Sequence, residues 1–426
     1  MSPKAEKTIW IINHYATETF FDKGGRHYWF AKYLKRMGYS PVIFGCNVVH
    51  GRPETFFQCE DKWFIRQEET LDIPFVIVQA NLYEGNGLSR ICNMLGFYKN
   101  VLKAARQYGA QNGKPIAILA SSVHPFALKA GMKLGKEYGI PCLCEIRDLW
   151  PESILAYSSS FSAANPLIKA LYRMEKNIYK DCDALIFTME GGYQYIRDKG
   201  WEKEIPPEKV YYINNGIDGE EYYPLMEKPL PPDADLEDPD SFKVIYTGSI
   251  RQVNDVGFFL DAARLLKNER IKILIYGGGE EKEALAERIR REGIENVVLK
   301  GTVSKETVPA VLNKGDLLVF HMIPSSIQKY GLSLNKMFEY LAAGKPLLTD
   351  TETEYNPALQ RGAGLNARPN DAASYAEAME RFAAMDKEEY NSYCGKAREA
   401  ARQFDFARLT EKLAGIIQSL ISEKGV

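Results

Sequence analysis

The residues best placed to do chemistry lie in one segment, Tyr330-Gly-Leu-Ser-Leu-Asn-Lys-Met-Phe-Glu-Tyr-Leu-Ala-Ala-Gly-Lys-Pro346. It reads as a loop entering a helix. Ser333 can cap the helix, Met337, Phe338 and Leu341 pack one face, and Gly344 with Pro346 ends it. A helix start presents unpaired N–H groups and partial positive charge, which suits a phosphate. Lys336 and Glu339 stand three apart and so share a face, at about 5–6 Å between Cβ atoms. A cation in the first turn and a carboxylate one turn deeper match a nucleotide. The cation meets a diphosphate, and the carboxylate accepts from the ribose hydroxyls. A solvated ion pair has the same spacing, but the neighbouring glycines and the Ala342-Ala343-Gly344 turn argue for close packing beside a ligand.

Other polar residues fall at the ends of apolar runs. Arg147, Asp148, Trp150 and Glu152 follow the run 141–146 and should face a ligand crevice. An Arg147–Asp148 neighbourhood that only pins the loop is the alternative. His124, within Ser121-Ser-Val-His-Pro125, and His14 also close apolar runs and are candidates for an acceptor site. A lone histidine is nevertheless more often structural. Gly277-Gly-Gly-Glu-Glu281 is not GxGxxG, and no acid about 20 residues on completes a dinucleotide fingerprint, so hydride transfer is disfavoured. The acidic pairs Asp233-x-Asp235 and Asp238-x-Asp240 lie in a proline-rich stretch rather than at a strand end. Catalysis without a bound metal is expected, with Lys, Arg and helix dipoles neutralising a leaving anion.

The elements that must position these residues alternate. Short Ile- and Val-rich runs lie at 9–12, 41–44, 75–78, 116–120, 141–146, 184–187 and 210–213, then at 244–247, 272–276, 297–299, 317–321 and 346–348. Such runs read as strands buried on both faces, and the helical stretches between them imply parallel sheets. The clearest helix is 26–37, with Trp29, Phe30, Tyr33, Leu34 and Met37 on one face and Gly38 as its stop. The alternation breaks at 221–242, where Pro224, Pro229, Pro231, Pro232 and Pro239 accompany a run of acids. The expected organisation is therefore α/β, with a Rossmann-like domain over 1–222, a linker over 223–242 and a second Rossmann-like domain over 243–405. A helix over 406–426 is expected to pack back on the first domain, and the two domains are expected to face one another across a cleft.

The 426 residues carry a formal net charge of -2 and 45% hydrophobic side chains, which disfavours disorder and a dominant nucleic-acid role. Length alone suggests two domains of about 200 residues. No apolar run is long enough to cross a membrane, and the polar, lysine-bearing N-terminus over 1–7 does not read as a signal peptide. Cys46, Cys59, Cys92, Cys142, Cys144, Cys182 and Cys394 are scattered without a CxxC pair, which fits a reducing cytoplasm. Residues 85–136 contain no Asp or Glu but carry Arg90, Lys99, Lys103, Arg106, Lys114, Lys129, Lys133 and Lys136. Within them Leu88, Ile91, Leu95, Tyr98, Leu102 and Ala105 repeat at helical spacing. A basic amphipathic helix over 85–114 can lie on an anionic membrane, although such helices more often serve their own core.

The 330–346 segment resembles the signature of retaining GT-B glycosyltransferases of family 4. Cys144-Glu-Ile-Arg-Asp-Leu-Trp-Pro-Glu-Ser153 is similar to the WbuB-like members that build bacterial surface polysaccharides. Further matches follow in order: Asp22-Lys-Gly-Gly25, Asn214-Asn-Gly-Ile-Asp218, Tyr246-Thr-Gly248, Gly277-Gly-Gly-Glu-Glu281 and Leu299-Lys-Gly-Thr-Val303. The resemblance implies a GT-B fold, a nucleotide-sugar donor bound as substrate by the C-terminal domain, an acceptor bound by the N-terminal one, and no resident cofactor. By position Glu339 would hold the ribose, and the N–H groups of Leu334 and Asn335, with Ser333 beside them, would meet the diphosphate. The backbone near Val303 would read the base. Gly24, Gly25 and Gly248 would approach the donor's phosphates. Three departures stand out. The family glutamate eight residues before Glu339 is Gly331, the Arg after Gly248 is Ser249, and the Lys five residues further is Asn254. Arg251 and Lys336 are the remaining cations for the diphosphate, with Lys329 in reserve, and Arg147 stands where many relatives have a histidine.

The resemblance implies sugar transfer with retention from a nucleoside diphosphate sugar. By analogy the donor is a UDP-linked N-acetylhexosamine, and the acceptor is a saccharide or a polyprenyl-diphosphate-linked saccharide at the inner face of the cell membrane. A sugar-nucleotide epimerase of the same architecture, or a non-catalytic binder of nucleotide or glycan, are the alternatives.

Overall fold

The computed structural model describes residues 7–49, 55–57, 61–85, 87–122, 124–157 and 162–425. Cys59, Val123 and the N-terminal residues 1–6 lie outside the described residues. The chain forms two compact units, Met1–Asn214 with Phe406–Val426, and Asn215–Asp405.

In the first unit, β1 (Thr8–Asn13), β2 (Ser40–Cys46), β3 (Trp63–Glu68), β4 (Ile73–Val78), β5 (Ala117–Ser121), β6 (Cys142–Ile146), β7 (Ala184–Phe187) and β8 (Val210–Tyr212) make one sheet. Its order is β3-β4-β2-β1-β5-β6-β7-β8. The central strands bury both faces, as their unbroken apolar runs require. Ile9 and Ile11 join Phe30 and Leu34 on one face. Trp10 turns to the other, 5.1 Å from Phe44 and edge-on to Tyr108 and Tyr138. The exception to parallel pairing is β3, antiparallel to β4 at the sheet edge. Its sequence, WFIRQE, has a mostly exposed or half-buried pattern and lacks the apolar run that marks the others.

In the second unit, β9 (Phe242–Thr247), β10 (Ile271–Tyr276), β11 (Val297–Gly301), β12 (Leu317–Val319), β13 (Leu347–Thr349) and β14 (Gly364–Asn366) are all parallel, in the order β11-β10-β9-β12-β13-β14. Chain order reverses between β1 and β5 in the first sheet and between β9 and β12 in the second. Ligand crevices of such sheets form at the carboxyl ends of strands at these reversals.

Three expectations are corrected. The stretch 223–242 is not a free linker. It counts with the second unit, contains the helix Ala234–Glu237 and the end of Gly219–Met226, and sends Leu236 into that unit's core. The helix 26–37 ends at Arg36, and Met37 is exposed rather than on the buried face, because Gly38 already turns the chain away. The apolar stripe of the long helix Leu88–Asn112 divides. Met94, Phe97, Val101, Leu102, Ala105 and Tyr108 are buried, whereas Leu88, Ile91 and Leu95 face solvent. The C-terminal helix Phe406–Lys424 packs Phe406, Leu409, Leu413 and Ile417 into the first unit's core beside Phe30 and Leu34.

Candidate active site

In the second unit, the carboxyl end of β9 and the start of the helix Asn335–Ala342 meet. Two side chains align them. The Tyr340 hydroxyl accepts from the Thr247 N–H at 2.8 Å, and the Tyr222 hydroxyl donates to the Glu339 carbonyl at 2.7 Å. Asn215 adds a bond to the Ser333 carbonyl at 2.9 Å. Lys336, in the first turn, reaches back over β9. Its amine lies 4.3 Å from the Tyr246 ring centroid and donates to the Tyr246 hydroxyl at 3.1 Å. That hydroxyl in turn donates to the Ser249 carbonyl at 3.0 Å.

Gly248 is required here. Its φ is 153°, and a Cβ would stand 2.8 Å from the Lys336 amine. Gly277 and Gly279 have a packing role. A Cβ on either would run into the backbone of Gly248 or Ile250, at 1.8 and 2.1 Å. Ile250 donates to the Gly278 carbonyl at 2.9 Å, so the two glycine-rich turns lie backbone against backbone.

Burial pushes the Lys336 amine down to about 8, against the pull of Glu339. Burial lifts Glu339 above the usual carboxylate range, opposed by Lys336 and Lys305. None of the described residues donates a hydrogen bond to the Glu339 carboxylate. A half-buried acid and amine, both disfavoured in their charged forms, are groups that a polar ligand would stabilise. Leu334 and Asn335 supply the free N–H groups at the helix start. Ser333 does not cap the helix. Leu334 occupies the cap position, and the Ser333 hydroxyl is buried without a hydrogen-bond partner. Val303 is partly buried against the unit's core. Arg251 is exposed on the loop after β9, and its guanidinium has no ion-pair partner among the described residues.

The two cation-to-neutral departures are one feature. The Asn254 amide donates to the Ser249 carbonyl at 2.9 Å and to its hydroxyl at 2.8 Å, bracing the loop.

In the first unit, the predicted residues gather at the ends of β1, β5 and β6. His14 and His124 are fully buried and bonded to each other, Nδ1 to Nε2 at 2.5 Å, with His14 stacked on Phe97. Burial, then the charge of Arg90, holds His124 down at about 3, so it is neutral. Gly25, with φ 95°, caps the helix Arg26–Arg36, and Gly24 packs against Trp29. The Arg147 N–H donates to the Ser122 hydroxyl at 3.0 Å, and Asp148 is exposed beside it. Trp150 is half-buried. Glu152 is engaged within the fold, by the Lys199 amine at 2.5 Å and by the Tyr172 hydroxyl.

Sequence reasoning assigned no role to the centre of this unit. Glu145, at the end of β6, is completely buried. It accepts from Arg26 Nε at 2.7 Å, His27 Nε2 at 2.9 Å and the Ser121 hydroxyl at 2.6 Å. Arg26 also donates to the carbonyls of Ile213 and Asn214 at 2.8 and 2.6 Å. Burial alone would raise the Glu145 pKa, but Arg26 and His27 hold it far below the ordinary range. Burial lowers His27, leaving a neutral ring that donates to Glu145 and accepts from Asn13 at 3.2 Å. The position of Glu145 at a strand end, behind Arg26 and His27 in a first helical turn, was the available signal.

Two doubly wound units with largely parallel sheets, one with a half-buried Lys–Glu pair at its strand reversal, have the architecture of two-domain nucleotide-sugar enzymes. Residues 28–221 match the model described as Glycosyltransferase Family 4, and residues 241–385 match the one described as Glycosyl transferases group 1. The protein is a glycosyltransferase of the GT-B fold. Among solved structures, it is similar to sucrose-phosphate synthase from Thermosynechococcus elongatus, at 16% identity and TM-score 0.69 over 98% of this chain and 100% of that one. It is also similar to Anabaena HepE in complex with UDP and glucose, at 14% identity and TM-score 0.66 over 97% and 100%. The Escherichia coli structure titled trehalose-6-phosphate, bound with UDP-2-fluoro glucose, matches at 12% and 0.68 over 96% and 99%. No curated protein matches the chain in sequence.

Proposed function

We propose that the protein transfers a sugar from a UDP-sugar to a saccharide or polyprenyl-diphosphate-linked saccharide in bacterial surface-glycan synthesis, with retention and without a metal. The observation that carries this is the Gly248–Lys336–Glu339 arrangement at the β9/β12 reversal. Glu339 accepts from the ribose hydroxyls. The Leu334 and Asn335 N–H groups and the Lys336 amine meet the diphosphate, and Arg251 is the further cation for the leaving charge. Arg147 and Asp148 are assigned to the sugar and the incoming hydroxyl by their place in the Cys144 to Ser153 motif. The bond from the anomeric carbon to the diphosphate oxygen breaks as the acceptor oxygen bonds the same carbon on the same face. The acceptor proton passes to the departing phosphate oxygen, so no nucleophilic carboxylate is needed.

UDP is favoured because two of the three structural relatives named above hold UDP or a UDP-sugar analogue. The N-acetylhexosamine follows from the WbuB-like motif around Cys144 to Ser153, whereas the relatives' glucose favours a glucosyl donor. The exposed start of the helix Leu88–Asn112 supports peripheral attachment to an anionic membrane. No described helix is long and apolar enough to cross one.

The test is calorimetric titration with UDP, GDP and ADP, followed by turnover of UDP-N-acetylglucosamine and UDP-glucose with lipid-linked acceptor in EDTA. UDP binding and acceptor-dependent release of UDP are expected. Donor conversion without acceptor would mark an epimerase, and binding without turnover a non-catalytic homologue.

A further inference from the structure

His321 lies two residues past the carboxyl end of β12, at the strand reversal of the second sheet, yet it belongs to none of the groups assigned above. Its side chain is completely buried. Nδ1 is 2.6 Å from Asp350 Oδ2 at the end of β13, and the ring stacks on Phe258 at 3.9 Å and 11°. Asp350 is itself buried and also receives the Asn370 N–H at 3.2 Å. The ring is therefore fixed in plane, with its Nδ1–H held by Asp350. Nε2 is buried without a hydrogen-bond partner, and the nearest acid is Asp255 Oδ2 at 3.7 Å.

Asp255 closes the loop that begins at Gly248. This loop carries Ser249, Arg251 and Asn254, and ends with Asp255 in a left-handed conformation at φ 37°. For a residue other than glycine that conformation needs support from its surroundings. Phe258, which stacks on His321, opens the next helix, Phe258–Ala263. His321 thus touches the loop at its far end, as Lys336 does at its near end.

We propose that His321 is a positioning residue. Oriented by Asp350, it holds Asp255 and so fixes the 248–255 loop that presents Arg251 to the donor diphosphate. The donor role of the loop rests on the reading of the Gly248–Lys336 region given above. The holding of the loop does not. The titratable groups facing the ring are Asp255 on the loop and Asp350 just after β13, while the helix Phe258–Ala263 contributes Phe258, against which Tyr375 of the helix Ala372–Ala383 packs edge-on. Burial opposes a charge on His321, but Asp255 and Asp350 outweigh it and raise the ring to about 8. It is an imidazolium at neutral pH and loses its hold on Asp255 in mild alkali.

The experiment is amide hydrogen exchange over 249–258 at pH 7 and 9, corrected for intrinsic rates, with UDP titrations on the same samples. Asp255→Asn should speed exchange of these amides at pH 7 by roughly two- to fivefold, the scale of a partly exposed ion pair, and weaken UDP by a similar factor. The parent should show a comparable rise between pH 7 and 9, and His321→Asn should not. Asp255 is half exposed, so its variant remains a fair test if His321→Asn fails to fold. Exchange equal to the parent in Asp255→Asn, or a pH-dependent rise that persists in His321→Asn, overturns the latch. A loosened loop with unchanged UDP affinity overturns the positioning role. A parent that binds no UDP, with the loop behaving as stated, sinks the donor reading and leaves the latch standing.

Discussion

In the proposed function donor binding turns on Glu339 and Lys336, and each makes a separate prediction. The Glu339 carboxylate has no donor among the described residues, and in the proposed function it accepts from the ribose hydroxyls. Hydrogen bonds to a charged group contribute about 1.5–3 kcal/mol, so Glu339→Ala should weaken UDP roughly 10–150-fold by calorimetry. An unchanged affinity would remove Glu339 from the site. Lys336 titrates at about 8 in the free protein. A bound diphosphate favours its protonated form, so affinity is full below that pH and falls above it, approaching about tenfold per unit. In Lys336→Gln only the smaller His321 share should remain between pH 7 and 9, roughly two- to fivefold. The Lys336–Glu339 spacing was legible because helical periodicity places residues three apart on one face. His321, Asp255 and Asp350 were not, because they are joined by strand order rather than local spacing, and His321 closes an apolar run that reads as plain core.

At the scale of elements, the Ile- and Val-rich strands announced themselves because both faces are buried. The antiparallel β3 did not, since an edge strand with polar outward residues lacks that mark. The central network of the first unit was equally hidden. Arg26 and Glu145 are 119 residues apart, and each read alone is an ordinary surface charge. Their joint burial makes them costly to separate. Glu145→Gln leaves Arg26 without its counter-charge and should destabilise the first unit by about 3–5 kcal/mol in urea. The pH dependence has a defined sign. The folded pKa of Glu145 lies below its ordinary 4.5 and that of His27 below its ordinary 6.5. In both cases the unfolded chain takes up protons that the folded one refuses, so stability falls as pH drops below 6.5 and again below 4.5. A denaturation midpoint that stays flat from pH 7 to 4 would contradict this network. The C-terminal helix is the other long-range element. Leu413 and Ile417 are fully buried beside Phe30 and Leu34, so Leu413→Ala should cost about 2–5 kcal/mol in the first unit.

For the whole molecule, the outward line of the helix Leu88–Asn112 decides between a cytosolic and a membrane-bound enzyme. Leu88, Ile91 and Leu95 are 80%, 43% and 36% exposed, so the core does not use them. The same line continues at helical spacing into exposed Lys99 and Lys103, and the helix Pro125–Tyr138 adds exposed Lys129, Lys133 and Lys136. Apolar residues beside lysines, with no acid from 85 to 136, complement an anionic bilayer surface in both of its attractions. Arg106 is a poor probe, because it pairs with Glu137 at 2.8 Å and its reversal would set two acids together. Lys99→Glu with Lys103→Glu removes two attractions of about 1 kcal/mol each, so binding to phosphatidylglycerol vesicles should fall at least roughly thirtyfold. Leu88→Ser with Leu95→Ser should weaken attachment with lysine charge intact, and the loss should persist in high salt, where the charge term is screened. Since all four side chains are exposed, UDP affinity and thermal unfolding should match the parent. Equal vesicle binding by parent and both variants would end the proposal of membrane attachment through this helix.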